Sequence, residues 1–570
     1  MTVADRRPLT ALEIARQATL RPIVEVGQDI GLPASLLETY GQYVAKVKLE
    51  ATEALAGRTA ARYVVVTAVT PTPLGEGKTT TLLGLVQGMQ HIGRRATASI
   101  RQASMGPTFG IKGGAAGGGY SQAAPFESLN LHLTGDLHAV TAAHNTLAAM
   151  VDNHLFQGNA LGIDQESVTW RRVLDVNDRS LRNVVVGLGS SEDGVTRQTG
   201  FDITAASEVM AILALSTSLG DMRRRLGRIV VGFTRDREPV TAEQLRAAGA
   251  MAVIMRDAIK PNLLQTLENT PVLVHAGPFG NIAHGNSSVI ADRIGIHTGD
   301  FLITEAGFGA DMGAERFFNI KCRISGLTPD AAVIVTTVRA LKAHSGAHRI
   351  VAGRPLPPAL FEENPGEVAV GAANLRKQIE NVLLHGVTPV VAINAFPDDF
   401  LSEYEVIRGI AASMGVRSAV STHFADGGAG AIELAEAVVA AADEPNEFRL
   451  LYPSSASLRE KIETIAGRVY GADGVDYLPV AARQLELFEA NGFGSFPVCI
   501  AKTHLSISSD PALKGAPTGW RLPVREVRAS AGAGFIYAIC GDVRTMPGLS
   551  SHPAAEHIDI DENGDVVGLA

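Results

Sequence analysis

The segment Tyr63–Thr70, YVVVTAVT, runs into Thr72–Thr79, TPLGEGKT, and continues as KTTTLLGLVQGMQHIG from Lys78. Its first part is an apolar, β-branched run without alternation, the pattern of a strand buried on both faces. Its last part returns apolar residues at helical spacing. The order is therefore strand, glycine loop, Lys-Thr, helix. In that layout backbone N–H groups and the positive end of the helix cradle phosphates. Thr72, Pro73, Leu74, Gly75, Glu76, Gly77, Lys78, Thr79 and Thr80 form the expected ATP-binding set. Lys78 would reach the outer phosphates as a catalytic cation, and the Thr79 hydroxyl would hold Mg²⁺. Thr72 stands where such loops usually have their first glycine. A plain helix-initiating turn is the alternative, and the flanking strand and helix favour the nucleotide.

Outward from this segment the same alternation recurs. Val184–Leu188, Ile229–Thr234, Ala332–Thr336 and Pro389–Asn394 read as further strands between helical patterns. Thr10–Leu55 reads as a helical lead-in, broken at Pro22 and Pro33. The implied fold class is α/β: a P-loop-type, mostly parallel doubly wound sheet with smaller additional α/β domains. Pro- and Glu-containing stretches at Arg354–Gly366 and Asp443–Ser457 suggest three units, 1–360, 361–450 and 451–570, the second contributing to a substrate pocket.

A chain of 570 residues with 46% hydrophobic and 19% charged residues buries a large core. The formal net charge of -9 and the lack of a basic stripe interleaved with aromatics argue against nucleic acid. No stretch approaches the ~20 apolar residues of a membrane span, and the first residues have no apolar leader, so a cytoplasmic protein is expected. Cys322, Cys499 and Cys540 are odd in number and widely spaced, which fits reduced core thiols. Asp559–Gly564 imitates the start of a calcium loop but has Ala570 where the bidentate Glu belongs, and reads as a terminal turn. His344 and His348 lack the surroundings of a zinc helix. No G-x-G-x-x-G follows a strand.

A second glycine cluster follows Arg101: RQASMGPTFGIKGGAAGGGYSQ. Glycines this dense beside Phe109, Ile111 and Tyr120 suggest backbone packed against a small ligand, and Arg101 and Lys112 make it an anion site rather than a linker. Gly110–Tyr120, GIKGGAAGGGY, resembles a signature of the formate–tetrahydrofolate ligases. Val335–Gly346, VTTVRALKAHSG, resembles a second one, and the TPLGEGKTTT loop also fits. The similarity extends in order through AHNTLAAMVDNHLFQGN, GFDITAASEVMAI, TEAGFGADMGAERFFNIKCR, VREVRASAGAGF and TMPGL.

The resemblance implies ATP-dependent ligation of formate to tetrahydrofolate through formyl phosphate. It puts Arg101 on that intermediate, with Lys112, Gly113 and Gly114 in the same substrate loop. It implies that the pterin stacks on Phe396, in Asn394-Ala395-Phe396-Pro397, and on Phe424. Asp136 is a candidate polar partner near the reacting nitrogen, with helix capping the alternative. Phe308 would line the pocket or belong to the core. A homotetramer is the implied assembly. Ala395, Phe424 and Asp426 replace two cations and a Trp of the family pattern, and Gln102 replaces a Glu. With Thr336 and Ser345, Gln102 tells against the monovalent-cation activation the family implies. A diverged paralogue acting on another acid or acceptor, and a nucleotide-regulated binding protein, are the rival readings.

Overall fold

The computed structural model describes residues 9–110, 116–350 and 355–569. Its centre is a twelve-stranded sheet. In chain order the strands are β1 (Leu37–Thr39), β2 (Ala45–Val47), β3 (Arg62–Ala68), β4 (Ala96–Ile100), β5 (Gly117–Gly118), β6 (Ser121–Ala124), β7 (Asn262–Thr266), β8 (Pro271–Val274), β9 (Phe301–Glu305), β10 (Ala331–Thr336), β11 (Thr388–Asn394) and β12 (Arg417–Ser421). Across the sheet they run β1-β2-β7-β8-β4-β9-β3-β10-β11-β12. From β8 to β12 every neighbouring pair is parallel. The β1, β2 and β7 edge is antiparallel.

Both faces of the sheet are covered, as continuous apolar strands require. On β3, Val64, Val66 and Ala68 enter one core together with Leu82, Val86 and Leu434. Tyr63 and Val65 enter the opposite core with Leu341, Ile379 and Ile407. The two-residue period thus splits one strand between two helical layers. Val64, Val65 and Val66 are each 0% exposed, and burying each side chain contributes roughly 1.5 to 3 kcal/mol. Helix α1 (Lys78–His91) follows β3, buries Leu82 to Met89, and packs against α4 (Ile432–Ala442).

Three sequence expectations change. The lead-in is not purely helical: between helices Ile23–Asp29 and Ala51–Leu55 it supplies β1 and β2 to the sheet edge. Val184–Val186 pairs only with Arg197–Thr199, in a hairpin outside the sheet, and Val185 and Leu188 are exposed. Val230–Phe233 pairs with Pro239–Thr241, also outside it. An apolar run identifies a strand without naming its partner, and these two find local partners.

Within 451–540 a separate apolar core holds Leu458, Ile462, Leu485, Ile500, Val527 and Ile536. It is built on β13 (Val498–Ala501), β14 (Glu526–Ser530) and β15 (Phe535–Ile539), in the order β13-β15-β14. The central sheet meanwhile continues past residue 360 through β11 and β12. Among the described residues no helix is long and apolar enough to cross a membrane. All three cysteines are buried and unpaired.

Candidate active site

The carboxyl ends of β3, β9, β4 and β11 converge on one place. The loop after β3 turns at Gly75 (φ +75°) and Gly77 (φ +76°), conformations that favour glycine. A Cβ on Gly77 would stand 2.6 Å from the Asn394 amide. That amide, at the end of β11, donates to the Glu76 carbonyl (3.1 Å). Inside the loop the buried Glu76 carboxylate accepts from the Thr72 N–H (2.7 Å) and hydroxyl (3.2 Å). Thr72 thus replaces the usual glycine by bracing the loop from within. The Lys78 ammonium lies 3.5 Å from Glu76. Lys78 opens α1 and Gly77 is its cap, with the N–H of Thr81 returning to the Gly77 carbonyl at 2.8 Å.

Glu305 is a candidate site residue that sequence reasoning missed. It ends β9, the strand inserted between β3 and β4, and is 2% exposed. The Thr79 hydroxyl donates to its Oε2 at 2.7 Å, and Arg101 Nε donates to its Oε1 at 3.0 Å. Burial pushes the Glu305 pKa up most strongly; the Arg101 charge and the hydrogen bonds from Thr79 and Arg101 outweigh it, leaving the group below the ordinary glutamate value. Its signal in sequence was one acidic residue closing the apolar run FLITE.

A cavity of about 560 Å³ opens beside this cluster, lined by Lys78, Arg101, Gln102, Phe279, Phe308 and His504 among others. Phe308, at φ +64°, stacks on His504 with centroids 4.7 Å apart, and its ring faces Gly280. Gln102 and Asn177 also line the cavity, and the Gln102 amide nitrogen and the Asn177 amide oxygen are buried without a partner among the described residues. Lys78, Arg101 and Phe308 are therefore brought together. Phe396 and Phe424 are not among the cavity's lining residues. They follow β11 and β12, where the Ala395 N–H donates to the Ser421 carbonyl (3.0 Å). The Arg339 guanidinium covers the Phe396 ring at 4.2 Å. Phe424 is 56% exposed beside Gly118 and Gly119.

Asp136 lies elsewhere: it opens helix α2 (Asp136–Phe156), is 2% exposed, and pairs with Lys46 of β2 at 2.7 Å and with Asn262 of β7 at 2.8 Å. Lys112, Gly113 and Gly114 lie outside the described residues. Asp561 organises the terminal turn, accepting from the N–H groups of Asn563 and Asp565 at 2.9 Å each.

A parallel sheet that gathers a glycine loop, a lysine, an arginine and a buried carboxylate at its strand ends defines an α/β protein with a ligand site in the crevice outside those ends. A family model for formate–tetrahydrofolate ligase matches residues 9–570. The chain is 71% identical over 559 residues to the formate–tetrahydrofolate ligase of Saccharopolyspora erythraea, covering 98% of this chain and 99% of that one. It is 68% identical over 571 residues to formate–tetrahydrofolate ligase 3 of Rubrobacter xylanophilus, covering 98% and 100%. With the Cutibacterium acnes formate–tetrahydrofolate ligase the identity is 64% over 558 residues, covering 98% and 99%. This chain belongs to the formate–tetrahydrofolate ligase family.

Proposed function

We propose that the protein ligates formate to tetrahydrofolate at the expense of ATP, giving 10-formyltetrahydrofolate, ADP and phosphate. A formate oxygen attacks the γ-phosphorus and ADP leaves, giving formyl phosphate. N10 of tetrahydrofolate then attacks the formyl carbon, its proton is lost, and phosphate departs. The first step brings two anionic reactants, formate and ATP, together, so the protein's task is to neutralise charge and exclude water.

The loop Thr72–Thr80 acts as a P-loop in this reading. Lys78 neutralises the transferring phosphoryl group, and Arg101 offers a planar fork to the oxygens of the acyl phosphate. Glu305 holds Arg101 and Thr79 in one orientation, so that both act as a preorganised pair. The Thr79 hydroxyl and the Glu305 carboxylate are hard oxygen donors that fit Mg²⁺, whose role would be to share the charge on the phosphate oxygens. Phe396 and Phe424 offer aromatic faces for the pterin, and Lys112, Gly113 and Gly114 complete the substrate loop.

The observation that carries the reading is the contact chain Thr79–Glu305–Arg101 in a member of this family. The test is product analysis with ATP, formate and tetrahydrofolate, omitting one at a time. Formation of 10-formyltetrahydrofolate only when all three are present is the expected result. ADP release that ignores formate, or no folate product, would overturn it.

A further inference from the structure

The cavity beside Lys78 carries a second pair of cations that the reaction scheme leaves unused. Arg182 and Arg544 both line it. Lys78 and Arg101 each lie near a buried carboxylate, Glu76 and Glu305. Arg182 and Arg544 have none: among the described residues no carboxylate is within ion-pair distance of either, although acidic groups stand nearby. Those acids are committed elsewhere. Asp202 accepts from Arg171 (3.0 Å) and from the Thr545 hydroxyl (2.6 Å). Asp542 pairs with Arg525 (2.7 Å). Asp175 accepts from Ser104 (2.5 Å) and the Met105 N–H (3.0 Å). Asp178 caps its own turn through the Ser180 N–H (2.9 Å).

The backbone around the two arginines is fixed. Arg182 Nε donates to the Met546 carbonyl at 2.9 Å, and its two terminal nitrogens have no partner among the described residues. Arg179 donates to the Leu549 carbonyl, and the Ile203 N–H donates to the Thr545 carbonyl at 2.8 Å. The segment 544–549 is thereby tied to 178–203, and two arginines line one cavity with no carboxylate partner among the described residues. The like charges oppose one another: burial first, then the charges of Arg544 and Arg179, lower the Arg182 pKa. An oxyanion would relieve that repulsion and form charge-assisted hydrogen bonds. The Gln102 amide nitrogen and the Asn177 amide oxygen in the same wall, without partners among the described residues, also call for a polar ligand.

We propose that Arg182 and Arg544 form an oxyanion subsite of this cavity, which grips either a carboxylate of the folate glutamate tail or a phosphate oxygen of the nucleotide while Lys78 and Arg101 serve the transferring group. The proposal rests on the ligase reading of the same cavity. Arg544→Gln is the primary variant, because Arg544 makes no side-chain hydrogen bond or ion pair among the described residues and its replacement spares the fold. Arg182→Lys keeps charge and Arg182→Gln removes it. Calorimetric titration of wild type and each variant with ATP, monoglutamyl tetrahydrofolate and triglutamyl tetrahydrofolate reads the subsite without turnover. Neutralising either arginine is expected to weaken one ligand about tenfold, with the difference shrinking at high salt and Arg182→Lys keeping most of the affinity. Loss confined to ATP identifies the phosphate; loss confined to the folates, larger for the triglutamate, identifies the tail. Affinities within twofold of wild type for all three ligands in both neutral variants overturn the subsite. Absence of 10-formyltetrahydrofolate from the wild-type assay would overturn the ligase reading instead, whatever the titrations give.

Discussion

At the scale of single residues, the centre of the site is Glu305, which two cationic or hydroxyl donors share from opposite sides. Lys78→Ala is expected to lower kcat by about 100-fold or more, because one positioned donor to developing charge is worth that much. Its melting temperature should stay near wild type, since among the described residues the Lys78 ammonium has one long ion pair, 3.5 Å to Glu76. Turnover within a few-fold of wild type would remove Lys78 from the phosphate-handling role. Glu305→Gln should raise the Mg²⁺ concentration needed for half-maximal rate and release the Arg101 guanidinium. It also predicts a pH signature. The folded pKa of Glu305 is depressed below the ordinary 4.5, so the stability its charge adds is present above that pH and is lost as pH falls through the lower folded value. Urea unfolding should therefore show a gap between wild type and Glu305→Gln at neutral pH that closes as pH falls through that lowered folded value. A gap that persists unchanged in acid would mean the carboxylate is not acting as an anion.

At the scale of elements, the antiparallel edge is fastened to the helical layer by a buried ion pair, Lys46 of β2 with Asp136 of α2. Lys46→Met strands the Asp136 charge in the interior and should cost about 3 to 5 kcal/mol in urea unfolding. Adding Asp136→Asn should recover much of that loss, and a double variant as unstable as the single one would assign the effect to packing instead. This edge also marks the limit of what sequence revealed. The strand β3, its loop and α1 were legible because the signal is local: an apolar run, glycines and a helical period within thirty residues of chain. Strands β1 and β2 were not, since three-residue strands embedded between helices show no period of their own. Val184–Leu188 has a strand's composition, yet its partner is the adjacent Arg197–Thr199, a choice made by tertiary context. Lys78, Arg101 and Phe308 line one cavity, whereas Phe396 and Phe424, expected in the same pocket as Phe308, do not. Glu305 escaped notice because its partner Thr79 is 226 positions away, and no spacing rule reaches that far.

At the scale of the whole molecule, the helix α3 (Glu208–Leu215) packs against the C-terminal unit and brings one buried carboxyl group to it. Glu208 accepts from the N–H groups of Gly532 (2.7 Å) and Ala533 (3.3 Å), and burial pushes its pKa up to about 8. Unfolded, it would titrate near 4.5, so between those values folding takes up a proton and stability falls as pH rises. Glu208→Gln keeps an acceptor for both amides and removes this dependence. Its melting temperature should exceed that of wild type by a margin that widens from pH 5 to pH 8; a margin constant with pH would show that Glu208 is charged in the fold. The strand order has a further consequence, one of timing. Thr79 reaches the ribosome exit long before Glu305, and β9 must insert between two strands already made. At 5 to 20 residues per second the 226 intervening positions take about 10 to 45 s to translate. Throughout that interval the growing chain owns a glycine loop but not Glu305, so a nascent or truncated chain ending before Phe301 lacks the carboxylate that Thr79 and Arg101 share in the fold, and that contact arrives late and all at once.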